Sequence, residues 1–331
     1  MNHLSLNSPL RFQPHLKALV WGGRGLGESL NKPLPTAAAY GESWEISDHD
    51  SHSSVVADGP HAGQTLRDLM QRIPDALLGA PRERFPWLVK FLDAHDWLSV
   101  QVHPDDRAVA QLWPGEGGKT EAWFILAARP GSRVYAGLTP GVDERALRAA
   151  LATGRAADCL HSFEPTPGDC LFLPAGTVHA VGGGILMAEV QQTSDATFRL
   201  FDWNRVDVNG KSRELHIDKA LACIDWDAGP VSPVRVHGYP AGEVGSTALV
   251  RCRYFDLDYH HFRDSHTLNT GSVLRIALVL HGRGHYDADG VRHDLAVGDT
   301  LLFPASIDPV PLVADGALGV LTASMPQSTP P

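Results

Sequence analysis

GDCLFLPAGTVHA, residues 168–180, reads as a short apolar strand, a Pro174–Gly176 turn and a histidine presented where the chain resumes. Side chains of a strand alternate between two faces, so the run asks for a sheet with one buried side and His179 beside it. Part of the stretch returns 130 residues later, where GDTLLFPAS begins at Gly298 with Gly-Asp, apolar residues and Pro in register. The echo predicts two related β lobes. The position that answers to His179 is Pro309, which has no side-chain ligand for a metal, so any metal chemistry belongs to the first lobe.

Two earlier runs supply partners for His179. In WLSVQVHPDD (97–106) period-two spacing puts Trp97, Ser99, Gln101 and His103 on one face and Leu98, Val100 and Val102 on the other. In GKTEAWFIL (118–126) Glu121 shares the face of Trp123 and Ile125. Two imidazoles, a carboxylate and an amide oxygen are a donor set for one divalent ion with an open position. Such a site weakens as pH falls through the histidine range, because the ligands protonate. Nothing places His49, His52, His61, His95 or His161 on this face, and they read as ordinary polar residues.

The rest of the chain sets the frame. It has 331 residues, 32 of them Gly and 24 Pro, which punctuate many short alternating runs and argue for a mainly β architecture. Helical patterns are local: 65–79, interrupted at Pro74, then 140–154 and 214–224. The composition of 225–244 shifts to Asp, Gly, Pro and Val, as in a connection between lobes. A net charge of −10 argues against nucleic acid as a partner, while a small phosphate pocket needs only local cations. No apolar run approaches the roughly 20 residues of a membrane helix. The first 15 residues lack the apolar region of a signal peptide, and four cysteines show no CxxC spacing, so the expected compartment is the cytoplasm. Gly182–Gly184 reads as a turn, not a phosphate cradle, and Trp21, Trp44 and Trp123 as core.

The spacing G-x5-P-x-G-x2-H from Gly168 to His179 resembles the second conserved motif of the cupin superfamily. Where the first cupin motif normally carries H-x-H and a nearby Glu, this chain has Gln101-x-His103 and a late Glu121, after PDDRAVAQLWPGEGGK. FLDAHDWLSVQVHPDD, GKTEAWFIL, LPAGTVHAVGGG and QQTSDATFRLFDW, in this order, resemble type I phosphomannose isomerases, especially the short bacterial form, as do WGGRGLG (21–27) and GESWEISDH (41–49). The resemblance runs from about Trp21 to Trp203 and continues more weakly beyond.

It implies two cupin (jelly-roll β-barrel) lobes with small helical inserts: a metal-binding catalytic domain at 1–228 and a degenerate lobe without ligands at 229–331. It implies metal-dependent interconversion of mannose 6-phosphate and fructose 6-phosphate, with one Zn²⁺ per chain on Gln101, His103, Glu121 and His179. Donor types alone leave Mn²⁺, Fe²⁺ and Co²⁺ open. Arg199 matches the active-site arginine of the family, able to bind phosphate or stabilise developing charge. Lys119, two residues before Glu121, is a candidate for phosphate binding, ring opening or proton transfer. Glu189 lies with Met187 and Gln191 on one face of ILMAEVQQ (185–192), a carboxylate in an apolar run that needs a partner or a role. Glu42 matches a position near the substrate pocket, with Glu45 equally compatible by parity. Whether a proton or a hydride moves is left open, as is the oligomeric state. The rival readings are another metal cupin enzyme, such as an oxygenase or a different sugar isomerase, and a non-catalytic sugar sensor that kept the fold.

Overall fold

The structure, a computed structural model, describes residues 6–206, 210–268 and 271–326. The first five residues of the N-terminal stretch read above lie outside it. The chain is mainly β, as the punctuated alternation predicts.

The first lobe is two facing sheets. One has seven strands, in the spatial order His15–Gly23, Tyr40–Ile46, Trp87–Ala94, Ile185–Gln192, Glu121–Ala128, Asp169–Leu173 and Val234–Arg235. The other has five: Phe198–Phe201, Val100–Val102, His179–Val181, Val134–Leu138 and Leu160–Phe163. The second lobe is a further sheet, Gly245–Arg251, Asp256–Phe262, Val310–Ser324, Arg275–Ala288 and Val291–Ala296, with Ser265–Leu268 and Thr300–Phe303 paired alongside.

Alternation along each central strand feeds two cores at once. Trp123, Ile125, Met187, Leu92, Leu171 and Leu173 point between the two facing sheets. Their neighbours Ala122, Phe124, Ala188, Val190, Val89 and Phe91 point outward into a core shared with the second lobe, where Tyr259, Val279, Leu302 and Phe303 meet them. Burying each large apolar side chain contributes roughly 1.5–3 kcal/mol. A one-residue slip would exchange Glu121 and Glu189 with these apolar neighbours, so the register is strongly specified. Behind the five-stranded sheet, Val100, Val102, Phe198 and Leu200 pack on Leu147 and Leu221 from two helices.

The helices follow their local signals. Thr65 and Asp68 form a capping box for Leu66–Arg72, and Pro74 starts a separate helix, Pro74–Leu78. Asp143 caps Glu144–Ala152, and Ile217–Cys223 is the third expected helix. A further helix, Asp106–Leu112, was not foreseen. Asp105 caps it by accepting from the Ala108 N–H at 2.6 Å, and it occupies the long interval between His103 and Glu121. Strand parity also fails at one point: the ladder begins at Val100, so Leu98 lines the cleft instead of joining Val100 and Val102.

The echoed hairpins share one turn. Asp169 accepts from the Thr166 N–H at 2.8 Å, and Asp299 from the Ala296 N–H at 2.9 Å. Gly168 and Gly298, at φ +91° and +94°, take the left-handed backbone this turn requires. We propose a division into lobes near residue 228. The connection contributes Val234–Arg235 to the first sheet, and Leu10 crosses to pair with Leu302 through two backbone hydrogen bonds of 2.8 and 2.9 Å.

Candidate functional site

Three neighbouring strands of the five-stranded sheet set Arg199, Gln101 and His179 side by side, since Gln101 pairs with both of the others. The Gly176 turn fixes the approach of His179: its N–H donates to the His103 carbonyl at 2.8 Å, at φ +88°. From the facing sheet Glu121 projects inward beside Gln191, while Glu189 sits opposite both Lys90 and Trp123.

His103, Glu121 and His179 are all buried and bring one potential ligand atom each within 4.8 Å of one another. The imidazole tautomers follow from their outer contacts. His103 Nδ1 lies 2.7 Å from the Ala196 carbonyl and His179 Nδ1 lies 2.9 Å from the Thr177 carbonyl, so both Nδ1–H groups donate outward. Both Nε2 lone pairs therefore turn inward, 3.4 and 3.3 Å from the Glu121 oxygens. Neither oxygen of Glu121 receives a well-directed hydrogen bond, although Lys119 Nζ is 2.8 Å from Oε2 as an ion pair. Lys119 Nζ also lies 3.0 Å from His103 Nε2, so an ammonium borders these acceptors, and two imidazoles with a carboxylate in one buried space are a donor set that fits a divalent ion. Burial, with Lys119 close by, holds the pKa of His103 well below the usual imidazole value, and burial likewise lowers that of His179. Burial would raise Glu121, but Lys119 and the two imidazoles outweigh it and hold the carboxyl low. Gln101 places an amide nitrogen 3.3 Å from His179 Nε2, and rotating the amide presents its oxygen there instead.

A cleft of about 370 Å³ reaches this group from outside, with Gln101 and Lys119 at its base. Glu42, Glu189 and Arg199 line it too, so the sequence candidates converge on one space. Arg199 is held by its Nε–H to Ser99 Oγ (3.1 Å) and its Nη1–H to the Glu214 carbonyl (2.9 Å). Glu42 accepts from the Trp44 indole N–H at 2.7 Å. Glu45 faces the other way, paired with Lys32 at 2.6 Å, which separates the two acidic residues that parity left equivalent. Trp21 and Trp123 belong to the core and also border the cleft.

Sequence reasoning missed Lys90, which is buried 3.0 Å from Glu189. Burial would lower its pKa, but Glu189, Glu42 and Glu121 outweigh that and keep it a cation. Burial, which Lys90 and Lys119 offset only in part, leaves the pKa of Glu189 raised. Lys17, Arg213 and His216 also line the cleft unforeseen. A wider groove of about 730 Å³ lies elsewhere, around Arg24, Asp93, His95 and Arg129. It holds no comparable ligand cluster among the described residues.

Known proteins resemble this chain along most of its length. The family model described as phosphomannose isomerase type I, catalytic domain, matches residues 10–119. The chain is 34% identical over 296 residues to mannose-6-phosphate isomerase ManA of Bacillus subtilis, covering 89% of this chain and 93% of the relative. It is 32% identical to mannose-6-phosphate isomerase of Streptococcus mutans, over 90% of this chain and 93% of that one. The crystal structure of the mannose 6-phosphate isomerase from Bacillus subtilis superposes with a TM-score of 0.85 at 29% identity, covering 96% and 99% of the two chains. With 34% identity over nearly the whole chain and the fold shared as well, the chain belongs to the type I phosphomannose isomerase family.

Proposed function

We propose that the cleft is the active site of a metal-dependent aldose–ketose isomerase that interconverts mannose 6-phosphate and fructose 6-phosphate. The observation that carries this reading is the convergence of the His103 and His179 Nε2 lone pairs on the Glu121 carboxylate, behind a cleft that also presents Lys119, Glu189 and Arg199.

Gln101, His103, Glu121 and His179 would hold the ion, and zinc is our choice for it, one per chain. When bound, it supplies Lewis-acid stabilisation of negative charge on the substrate oxygens at C1 and C2. The chain's own groups do the rest. Lys119 and Glu189 are the titratable side chains of the reacting end, where hydrogen must pass between C1 and C2. Burial raises the pKa of Glu189, which makes it a stronger base than an exposed carboxylate. Arg199 has five N–H donors, of which two have fixed partners, and the others are available to an anionic substrate. Glu42, oriented by Trp44, would accept from a sugar hydroxyl. Among the described residues no helix is long and apolar enough to cross a membrane, and all four cysteines are free, which supports a reducing compartment such as the cytoplasm.

The test is to incubate purified, zinc-loaded protein with mannose 6-phosphate and follow the sugar resonances by NMR. Appearance of fructose 6-phosphate up to a fixed equilibrium ratio is expected. No conversion by fully loaded protein would sink the proposal.

A further inference from the structure

The cations around the cleft fall into two groups. At its base they are committed, with Lys119 2.8 Å from Glu121 and Lys90 3.0 Å from Glu189. At its mouth Lys17 is different. It projects from His15–Gly23, an edge strand of the seven-stranded sheet, and lines the same cleft as Arg199, which projects from an edge strand of the five-stranded sheet. Its register partner is Glu42, yet the Glu42 carboxylate takes the indole N–H of Trp44. Lys17 Nζ rests instead over the Trp44 ring, 3.4 Å from its centroid, with no ion pair or hydrogen bond among the described residues. Burial lowers its pKa, and the charges of Glu42 and Asp195 oppose that only in part.

An ammonium held on an aromatic face keeps its direction and its donors while lacking a counter-ion. A phosphate dianion needs cations of that kind. The lysines at the base are already taken up by Glu121 and Glu189. We infer that Lys17 is a further substrate-binding residue, which contacts the phosphate group of the sugar phosphate at the mouth of the cleft, across from Arg199. The identity of the sugar rests on the isomerase reading above; the contact with the phosphate does not.

Lys17→Met keeps the apolar stem over Trp44 and removes the charge, and Lys17→Arg restores a cation. Inorganic phosphate is titrated calorimetrically into the zinc-loaded wild type and both variants, and KM and kcat for mannose 6-phosphate are measured on the same samples. Loss of one charged contact predicts phosphate binding about tenfold weaker in Lys17→Met, with a matching rise in KM, a smaller change in kcat and partial recovery in Lys17→Arg. Zinc content and melting temperature stay at wild-type values. Phosphate affinity unchanged in Lys17→Met overturns the inference, as does a loss that merely follows lost zinc or lost stability. If the wild type binds phosphate through Lys17 but leaves mannose 6-phosphate unconverted, the contact stands and the isomerase reading falls. Turnover with phosphate binding indifferent to Lys17 is the reverse.

Discussion

Two hairpins 130 residues apart, at Gly168 and Gly298, close with the same aspartate turn and then serve opposite ends. In the first, Leu171 and Leu173 form part of the apolar floor between two sheets, and the chain goes on to deliver His179 to the Glu121 carboxylate. In the second, Leu301, Leu302 and Phe303 are wholly buried in the core shared by both lobes, and the chain goes on to Pro309, which is exposed. The polar interior differs in kind as well. Lys90, Lys119, Glu121 and Glu189 are buried as ion pairs in the first lobe, whereas His260 in the second is satisfied by the hydroxyls of Ser246 and Thr322 at 2.7 and 3.0 Å. Turn chemistry and apolar alternation are enough to build such a lobe. Chemistry requires something more costly, ionisable groups kept in a dry interior by mutual pairing.

The largest effect that tests this contrast is His179→Ala. Metal content should fall from one ion per chain to near zero, and turnover by about a thousandfold or more, with the circular dichroism of the fold retained. Unchanged stoichiometry would remove His179 from the site. Arg199→Ala should cost about a hundredfold or more in kcat/KM while metal content stays intact. Near-normal kinetics there would make the arginine structural.

A smaller effect separates the lobes by pH. Burial, with His266, Arg275 and Arg251 close by and Asp258 opposing them, lowers the His260 pKa from 6.5 to about 4. An unfolded imidazole takes up its proton first as pH falls, so His260 withdraws stability between about pH 6.5 and about pH 4 and adds no further dependence below. Denaturant titrations should therefore show a shallower acid loss for His260→Gln than for the wild type in that window. Identical slopes would mean the imidazole is protonated in the fold. The smallest expected effect is Pro309→His, which recreates the ligand type at the echoed position. No second group of three potential ligands lies among the described residues, so metal stoichiometry should remain one. A second bound ion would show that the lobes are closer in chemistry than their interiors suggest.

Period-two parity made the inward faces legible: Glu121 with Trp123 and Ile125, and Glu189 with Met187, lie as the alternation requires. It failed at Leu98 because parity has meaning only within a hydrogen-bonded ladder, which starts two residues later. Lys90 was within reach of the same reasoning that singled out Glu189, since it interrupts LVKFL as sharply as Glu189 interrupts ILMAEV. The Asp106–Leu112 helix was signalled by Pro104-Asp105-Asp106, a helix-start pattern read only as spacing. Glu42 and Glu45 could not be told apart until Lys32 claimed one of them from a distant loop. Lys17 depends on which strand forms the edge of the seven-stranded sheet, and Arg213 on how the loop between Phe198–Phe201 and Ile217–Cys223 reaches the cleft, and local pattern carries no record of either.

On the proposed reading, the first lobe's buried donor set is what makes turnover depend on a bound metal. Metal-free protein, prepared with a chelator, should be titrated with zinc while bound metal and turnover of mannose 6-phosphate are measured together. Activity that starts near zero, rises in proportion to bound zinc and levels off at one ion per chain is the predicted result. Full turnover in protein shown to be free of metal would contradict it.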